Sequence, residues 1–181
     1  WLYGGAFQTG STCEKEFNGE QLARQGVVVV SIAYRLNVFG FFAHAMLEKE
    51  AVDGRPCANF GFLDQRMGIQ WVKDNIALFG GDPANITVFG QSAGAASALA
   101  QSVSPMNDGL FQRVIMQSGG GTGLFNRHLW SLEDAQRNGA RFLKYLEVES
   151  IAEARSVPAT DLLEAAVTFP ACDWSGQGDD V

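Results

Sequence analysis

Ser92 is the residue around which this sequence can do chemistry. It lies in Gly90-Gln91-Ser92-Ala93-Gly94, directly after the apolar, β-branched run Ile86-Thr87-Val88-Phe89. Directly after it come Ala95-Ala96-Ser97-Ala98-Leu99-Ala100-Gln101. A short buried strand, then G-x-S-x-G, then a helix rich in small residues is the pattern of a nucleophile elbow. At such a turn the serine hydroxyl projects from the carboxyl edge of a sheet. Side chains two residues before and after the serine would strike neighbouring backbone, and Gly90 and Gly94 remove them. The helix that begins here turns its free N–H groups toward the serine and favours negative charge. The Ala93 N–H is thereby placed to donate to an oxyanion. The competing reading is a glycine-bracketed turn with an incidental serine; the flanking strand and helix favour the elbow.

The elements that must position Ser92 are legible as alternating apolar runs and helical patterns. Trp1-Leu2-Tyr3 reads as the end of a strand, followed by a tight turn, Gly4-Gly5-Ala6-Phe7. Residues 17–25 read as a short helix closed by Gly26. Residues 27–33 read as the strongest strand, buried on both faces because its apolar residues do not alternate. Residues 34–42 read as an apolar loop, and 43–61 as irregular and exposed. Leu63, Met67, Trp71, Ile76 and Phe79 recur at roughly helical spacing. They predict one amphipathic core-facing helix over 61–79, stopped by Gly80-Gly81-Asp82-Pro83. Residues 113–118 read as another strand, closed by Gly119-Gly120-Gly121. Helices follow over 131–145, with Ser131 as cap, then 150–156 and 160–167, and 169–181 reads as loop. About four strands among helices predict an α/β fold, with a mostly parallel sheet and helices on both faces. Its site belongs at the carboxyl ends of the strands, where Gly4-Gly5-Ala6, Ser92 and Ser118-Gly119 all fall.

Composition narrows the chemistry. The 181 residues are 46% hydrophobic and 18% charged, with 13 basic against 20 acidic side chains and a net charge of −7. That balance argues against nucleic acid as a partner. No run of 18 apolar residues marks a membrane span. Cys13, Cys57 and Cys172 match no zinc spacing, and two histidines, His44 and His128, are too few for a metal site, so neither metal nor cofactor is expected. The cysteines leave room for one bridge, Cys13 to Cys57 for example, and the redox compartment stays open. The glycines 119–121 lack any phosphate-loop partner motif. The chain opens on Trp1 without an initiator methionine and closes in a loop, which reads as an internal piece of a longer protein. The missing targeting segment therefore says nothing about compartment.

Several separate blocks carry a resemblance. They are Trp1-Leu2-Tyr3-Gly4-Gly5-Ala6-Phe7, Tyr34-Arg35-Leu36-Asn37-Val38-Phe39-Gly40-Phe41 and Asn59-Phe60-Gly61-Phe62-Leu63-Asp64-Gln65-Arg66. The stretch from Trp71 to Pro83, the elbow itself and Gln117-Ser118-Gly119 complete the set. In order and spacing these resemble the type-B carboxylesterase family of carboxylesterases, cholinesterases and the larger fungal and bacterial lipases. The match is close over 1–120 and loose over 121–181.

The resemblance implies an α/β-hydrolase fold, of which 1–181 would be a partial domain. Residues 1–120 would hold the sheet core, oxyanion loop and elbow, and 121–181 a helical segment over the site. It implies Ser92 as nucleophile and the N–H groups of Gly5, Ala6 and Ala93 as oxyanion hole, with Gly4 serving the turn. Arg35, Asp64 and Arg66 would form a structural ion-pair network. One departure is Gln91, where many members have glutamate before the serine; it removes a charge beside the nucleophile and should tune the site.

Family order runs serine, acid, histidine. His44 precedes Ser92, and His128 follows too closely to leave room for an acid-bearing strand between them. Both read as loop or surface histidines, and the triad acid and histidine are expected beyond Val181. Phe39, Phe41, Phe42 and Phe125 fit either a substrate pocket or core packing, and Trp71 fits core. The implied activity is hydrolysis of uncharged small-molecule carboxylic esters through an acyl-enzyme on Ser92, which this chain alone would not turn over. The alternative is a non-catalytic binding or adhesion protein on the same scaffold; such members typically replace the serine, which is intact here. A free-standing domain with its own function is disfavoured by the exposed sheet edges it would leave.

Overall fold

The computed structural model describes residues 1–51, 57–119 and 130–170. Its helices and strands in chain order are α1 (Glu20–Ala23), α2 (Asn37–Phe41), α3 (Ala45–Glu50), α4 (Phe60–Asn75), β1 (Thr87–Gln91), α5 (Ala93–Val103), β2 (Arg113–Gln117), α6 (Leu132–Tyr145), α7 (Ile151–Ser156) and α8 (Ala159–Thr168). Short 3-10 turns occupy Lys15–Phe17, Ile76–Phe79 and Pro105–Asn107. The chain divides into two compact units: Trp1–Tyr34 with Phe62–Asn126, and Arg35–Gly61 with Arg127–Val181. No helix among the described residues is long and apolar enough to cross a membrane.

The first unit is built on parallel pairing. β1 and β2 run parallel in register from Thr87↔Arg113 to Gln91↔Gln117, joined through α5. Parallel neighbours need such a crossover, and the small residues of α5 let it lie close on both strands. Leu2 adds a parallel bridge to Gly90, with its N–H donating to the Phe89 carbonyl at 2.9 Å. On the far side, the Trp1 nitrogen donates to the Val30 carbonyl (2.6 Å) and the Ile32 N–H to the Trp1 carbonyl (3.1 Å). Leu2, Val88, Ile69 of α4, Ala98 of α5 and Leu110 form one buried cluster on one face. Each large side chain in it contributes roughly 2 kcal/mol of burial. On the opposite face Phe17 and Phe89 lie against Trp1, with ring centroids 5.2 and 4.9 Å away.

Two sequence readings change here. Residues 27–33 form no regular strand; only Val30 and Ile32 pair, and Val27 and Val28 are 53% and 45% exposed. A β-branched run becomes a strand only where a ladder partner lies alongside, and the described residues supply one pairing. The helix over 61–79 is α4 plus a 3-10 turn, but its buried stripe is Gln65, Ile69, Val72 and Ile76. Met67, Trp71 and Phe79 are exposed, and Trp71 rests on Phe79 at the surface (5.7 Å) rather than in the core. The helix carries two apolar stripes, and a glutamine inside the buried one disguised it.

The second unit packs Val38, Phe142, Ala166 and Phe169 together, with Phe41, Phe42, Leu146 and Leu162 around them. The expected loop over 34–42 contains α2, and the expected irregular stretch contains α3, entered through buried Ala43 and His44. Short helices of this kind carry little intrinsic signal and depend on tertiary packing. A Cβ on Gly139 of α6 would strike the Ala43 carbonyl oxygen, which explains glycine in a helix interior. α6 starts where its cap predicts: the Ser131 hydroxyl accepts from the Asp134 N–H at 3.1 Å, and Ser150 does the same for Glu153 ahead of α7. Ser131→Ala is therefore expected to cost on the order of 1 kcal/mol. A urea midpoint equal to the parent's would show that the cap contributes nothing.

Candidate active site

Ser92 stands between β1 and α5 with φ 55° and ψ −122°. A non-glycine residue there stores about 1–3 kcal/mol of backbone strain. The surroundings over-determine it. Its N–H donates to the Gln117 carbonyl of β2 (2.9 Å), and its carbonyl accepts from the Ala95 and Ala96 N–H groups (2.9 and 3.0 Å). The hydroxyl is not used to cap the helix, so it stays available.

The glycines show how tightly the elbow is built. A Cβ on Gly90 would strike the Gly94 carbonyl oxygen and come within 2.7 Å of the Leu2 oxygen. A Cβ on Gly94 would collide with the Leu2 carbonyl. On Gly119, after β2, it would stand 2.7 Å from the Ser92 carbonyl oxygen; on Gly4 it would stand 3.2 Å from the Ser92 Cβ. The loop after residue 3, the elbow and the end of β2 thus meet at the carboxyl edge of the sheet.

The loop is wound left-handed through Gly5, Ala6 and Phe7, with φ of 109°, 54° and 60°. The Gln8 and Thr9 N–H groups close it on the Gly5 carbonyl (2.9 and 3.0 Å). Phe7, fully buried and edge-on to Phe62 at 5.6 Å, anchors it from below. Gly5 and Ala6 are exposed, whereas Ala93 at the start of α5 is buried. Among the described residues, none of these three N–H groups makes a backbone–backbone hydrogen bond. The Gln91 side chain lies over Gly4, its Oε1 3.0 Å from where a Cβ on that glycine would be.

A buried polar chain, to which sequence reasoning gave no role, runs beneath this site. Gln65 Nε2 donates to Ser97 Oγ (2.9 Å), and Gln101 Nε2 donates to Gln65 Oε1 (3.1 Å) and the Phe62 carbonyl (2.8 Å). Asn107 Nδ2 donates to Gln101 Oε1 (2.6 Å). The available signal was a glutamine four residues before Ile69, on the same helix face.

The other candidates resolve as follows. Of the loop or surface reading of His44, the loop half holds and the surface half does not: it precedes α3, is 9% exposed, is stacked on Phe42, and its Nδ1 accepts from the Met46 N–H (3.1 Å) to cap α3. Burial lowers its pKa, which favours the neutral, accepting form the cap needs. Phe41 and Phe42 pack in the second unit's core, while Phe39 is partly exposed. The Arg35 guanidinium lies over the Phe60 ring (5.2 Å), and Arg66 Nε donates to the Met106 carbonyl (3.1 Å). Cys13 and Cys57 are free thiols. Gly120, Gly121, Phe125, His128 and Cys172 lie outside the described residues. A cavity of about 660 Å³ opens elsewhere in the first unit, lined by Trp1, Val28, Val30, Phe89 and Ile115 among others. Its lining is mainly apolar and lies apart from Ser92.

Comparison with known proteins decides the family. A model of the carboxylesterase family matches residues 1–176. The chain belongs to the carboxylesterase family. It is 41% identical over 169 residues to the para-nitrobenzyl esterase of Bacillus subtilis (strain 168), covering 92% of this chain and 32% of that protein. It is 42% identical over 139 residues to the fumonisin B1 esterase of Sphingopyxis macrogoltabida, covering 77% and 25%. The crystal structure of the Geobacillus stearothermophilus carboxylesterase EST55 superposes with a TM-score of 0.82 at 43% identity, over 94% of this chain and 36% of that one. This carboxylesterase chain has the α/β-hydrolase fold and spans about a third or less of the length of the curated relatives it matches.

Proposed function

We propose that the protein is a serine hydrolase of carboxylic esters, with Ser92 as nucleophile and the N–H groups of Gly5, Ala6 and Ala93 as oxyanion hole. The observation that carries this is the strained, over-determined Ser92 next to the loop that begins at Gly4, with the Gly5, Ala6 and Ala93 N–H groups making no backbone–backbone hydrogen bond among the described residues. Strain held in place by surrounding structure clusters at reactive sites. Ser92 Oγ attacks the ester carbonyl carbon while a general base takes its proton. The carbonyl oxygen becomes an oxyanion and is held by the three donors, each worth about 3–4 kcal/mol in the transition state. The tetrahedral adduct collapses, the C–O bond to the alcohol breaks and the alcohol leaves with a proton. Water then releases the acid from the acyl-enzyme by the same route. The base and its orienting acid are not assigned to any residue of this chain. The names of the relatives, a para-nitrobenzyl esterase and a fumonisin B1 esterase among them, support small-molecule esters as the substrate class.

The test is to treat the complete gene product with a fluorophosphonate, map the adduct by peptide mass, and assay p-nitrophenyl acetate. One adduct, on Ser92, with turnover lost in step, is the expected result. A protein that neither labels nor hydrolyses overturns the reading in favour of a non-catalytic binding scaffold. Gln91→Glu probes the electrostatics of the same site. A carboxylate beside the serine stabilises the protonated, cationic form of the base, so the acid limb of kcat/KM is expected to move to higher pH. An unmoved limb would show that the residue 91 side chain is screened from the base.

A further inference from the structure

Two tyrosines lock onto each other directly beneath the loop that carries Gly5 and Ala6. Tyr34 Oη donates to the Tyr3 carbonyl oxygen at 2.7 Å, and Tyr3 Oη donates to the Tyr34 carbonyl at 3.1 Å. The Tyr34 N–H also donates to Tyr3 Oη (3.3 Å), and the rings stack with centroids 4.4 Å apart and planes 14° from parallel. Tyr3 is 2% and Tyr34 6% exposed. Burial pushes both phenols above the ordinary tyrosine range, so each keeps its donor hydrogen.

The Tyr3 carbonyl belongs to the peptide that leads into Gly4, one residue before the first proposed oxyanion donor. Next to the Tyr34 phenol stands Ser97 of α5. Behind Ser97 stands Gln65 of α4, whose amide donates to Ser97 Oγ at 2.9 Å. The Gln65 amide donates to Ser97 and the Tyr34 hydroxyl to the Tyr3 carbonyl, with Ser97 adjacent to the Tyr34 phenol. Gln65 and Ser97 are fully buried. A buried polar cluster of this kind resists partial disruption, because breaking it strands polar atoms away from water. It joins the helix that follows the nucleophile to the loop that supplies the opposite donors. Those two pieces must keep a fixed spacing for one oxyanion to meet both, because oxyanion donors act only within about 2.7–3.1 Å.

We propose that Tyr34 is a positioning residue for the oxyanion hole: its hydroxyl, bonded to the Tyr3 carbonyl, sets the Tyr3–Gly4 peptide and through it the Gly5 and Ala6 N–H groups against Ser92. Tyr34 would act through the loop backbone, by its bond to the Tyr3 carbonyl. This rests on the serine-hydrolase reading of the site and goes beyond it by naming what aligns the two halves of the hole.

The experiment uses Tyr34→Phe and Ser97→Ala in the complete gene product, with Ser92 titrated by fluorophosphonate so that rates refer to intact sites only. Tyr34→Phe keeps the ring stack and deletes one hydroxyl. It is expected to lower kcat per titrated site about 10- to 100-fold with KM within about two-fold, and to weaken an alkyl boronic acid, which forms the tetrahedral adduct, in proportion to kcat/KM. Ser97→Ala, which removes the polar side chain beside the Tyr34 phenol, is expected to give a smaller loss of the same kind. A purely structural role would reduce the titrated fraction and the melting temperature and leave kcat per titrated site unchanged; that result overturns the proposal. If Tyr34→Phe yields no folded protein, Ser97→Ala decides by the same criterion. If the parent itself shows no Ser92 adduct, the serine-hydrolase reading fails first, and that outcome is separate from a labelled, active parent whose Tyr34→Phe variant is unimpaired.

Discussion

Ser92→Ala is expected to abolish fluorophosphonate labelling and to reduce esterase turnover by about 10⁴- to 10⁶-fold, the range seen when an activated serine nucleophile is removed. The fold should not notice. Ser92 is held by its backbone, through Gln117, Ala95 and Ala96, and its hydroxyl does not cap α5. Alanine accepts the same backbone bonds and carries the same strain at φ 55°. Ser92→Gly separates strain from chemistry. Glycine adopts this conformation freely, so the glycine variant is expected to be equally inactive yet about 1 kcal/mol more stable than the alanine variant. Unfolding by urea reads that difference directly. A glycine variant less stable than the alanine one would show that the Ser92 conformation is not strained, and that stored strain is no guide to the reactive residue.

Much of this arrangement was legible in the sequence, for a physical reason. An elbow imposes steric demands that only glycine meets, so Gly90 and Gly94 bracket Ser92 at fixed offsets whatever lies around them. Caps are equally local, and Ser131 and Ser150 mark helix starts by chemistry within three residues. What failed was what depends on distant neighbours. Val27 to Val30 have strand propensity, yet among the described residues only 30 and 32 meet a partner backbone, at Trp1. The face of α4 was misread because Met67, Trp71 and Phe79 look like core and are exposed, while Gln65 looks exposed and is fully buried. A buried glutamine is tolerable only because Ser97 and Gln101 satisfy it, and neither pairing is local in sequence. His44 reads as a loop or surface histidine; it does lie in a loop, but nothing in its immediate sequence announces that Phe42 and the α3 terminus enclose it.

Gly94→Ala tests the architecture as sharply as Ser92→Ala tests the chemistry. Gly94 lies in the first turn of α5, where helix propensity alone would make alanine about 1 kcal/mol better. The structure predicts the opposite sign. A Cβ there would collide with the Leu2 carbonyl oxygen and stand 2.7 Å from its carbon and 2.8 Å from the Tyr3 oxygen. All three are backbone atoms, and Leu2 is itself pinned by its N–H on Phe89, so no side chain can swing aside. The expected cost is more than about 3 kcal/mol, in the class of severe overpacking, with soluble yield and melting temperature falling sharply. Whatever folds should be a poor esterase, since the displaced segment leads straight into Gly4 and Gly5. Gly80→Ala supplies the contrast. Gly80 also has a positive φ, 81°, at the end of a helical turn, but a Cβ there meets nothing within 4 Å. Only conformational strain opposes it, about 1 kcal/mol, with catalysis unaffected. Equal losses at the two positions would mean that glycine is kept at 94 for backbone freedom rather than for room. Unequal losses in the stated order tie Gly94 to the segment at Leu2 and Tyr3 that leads into Gly4 and Gly5.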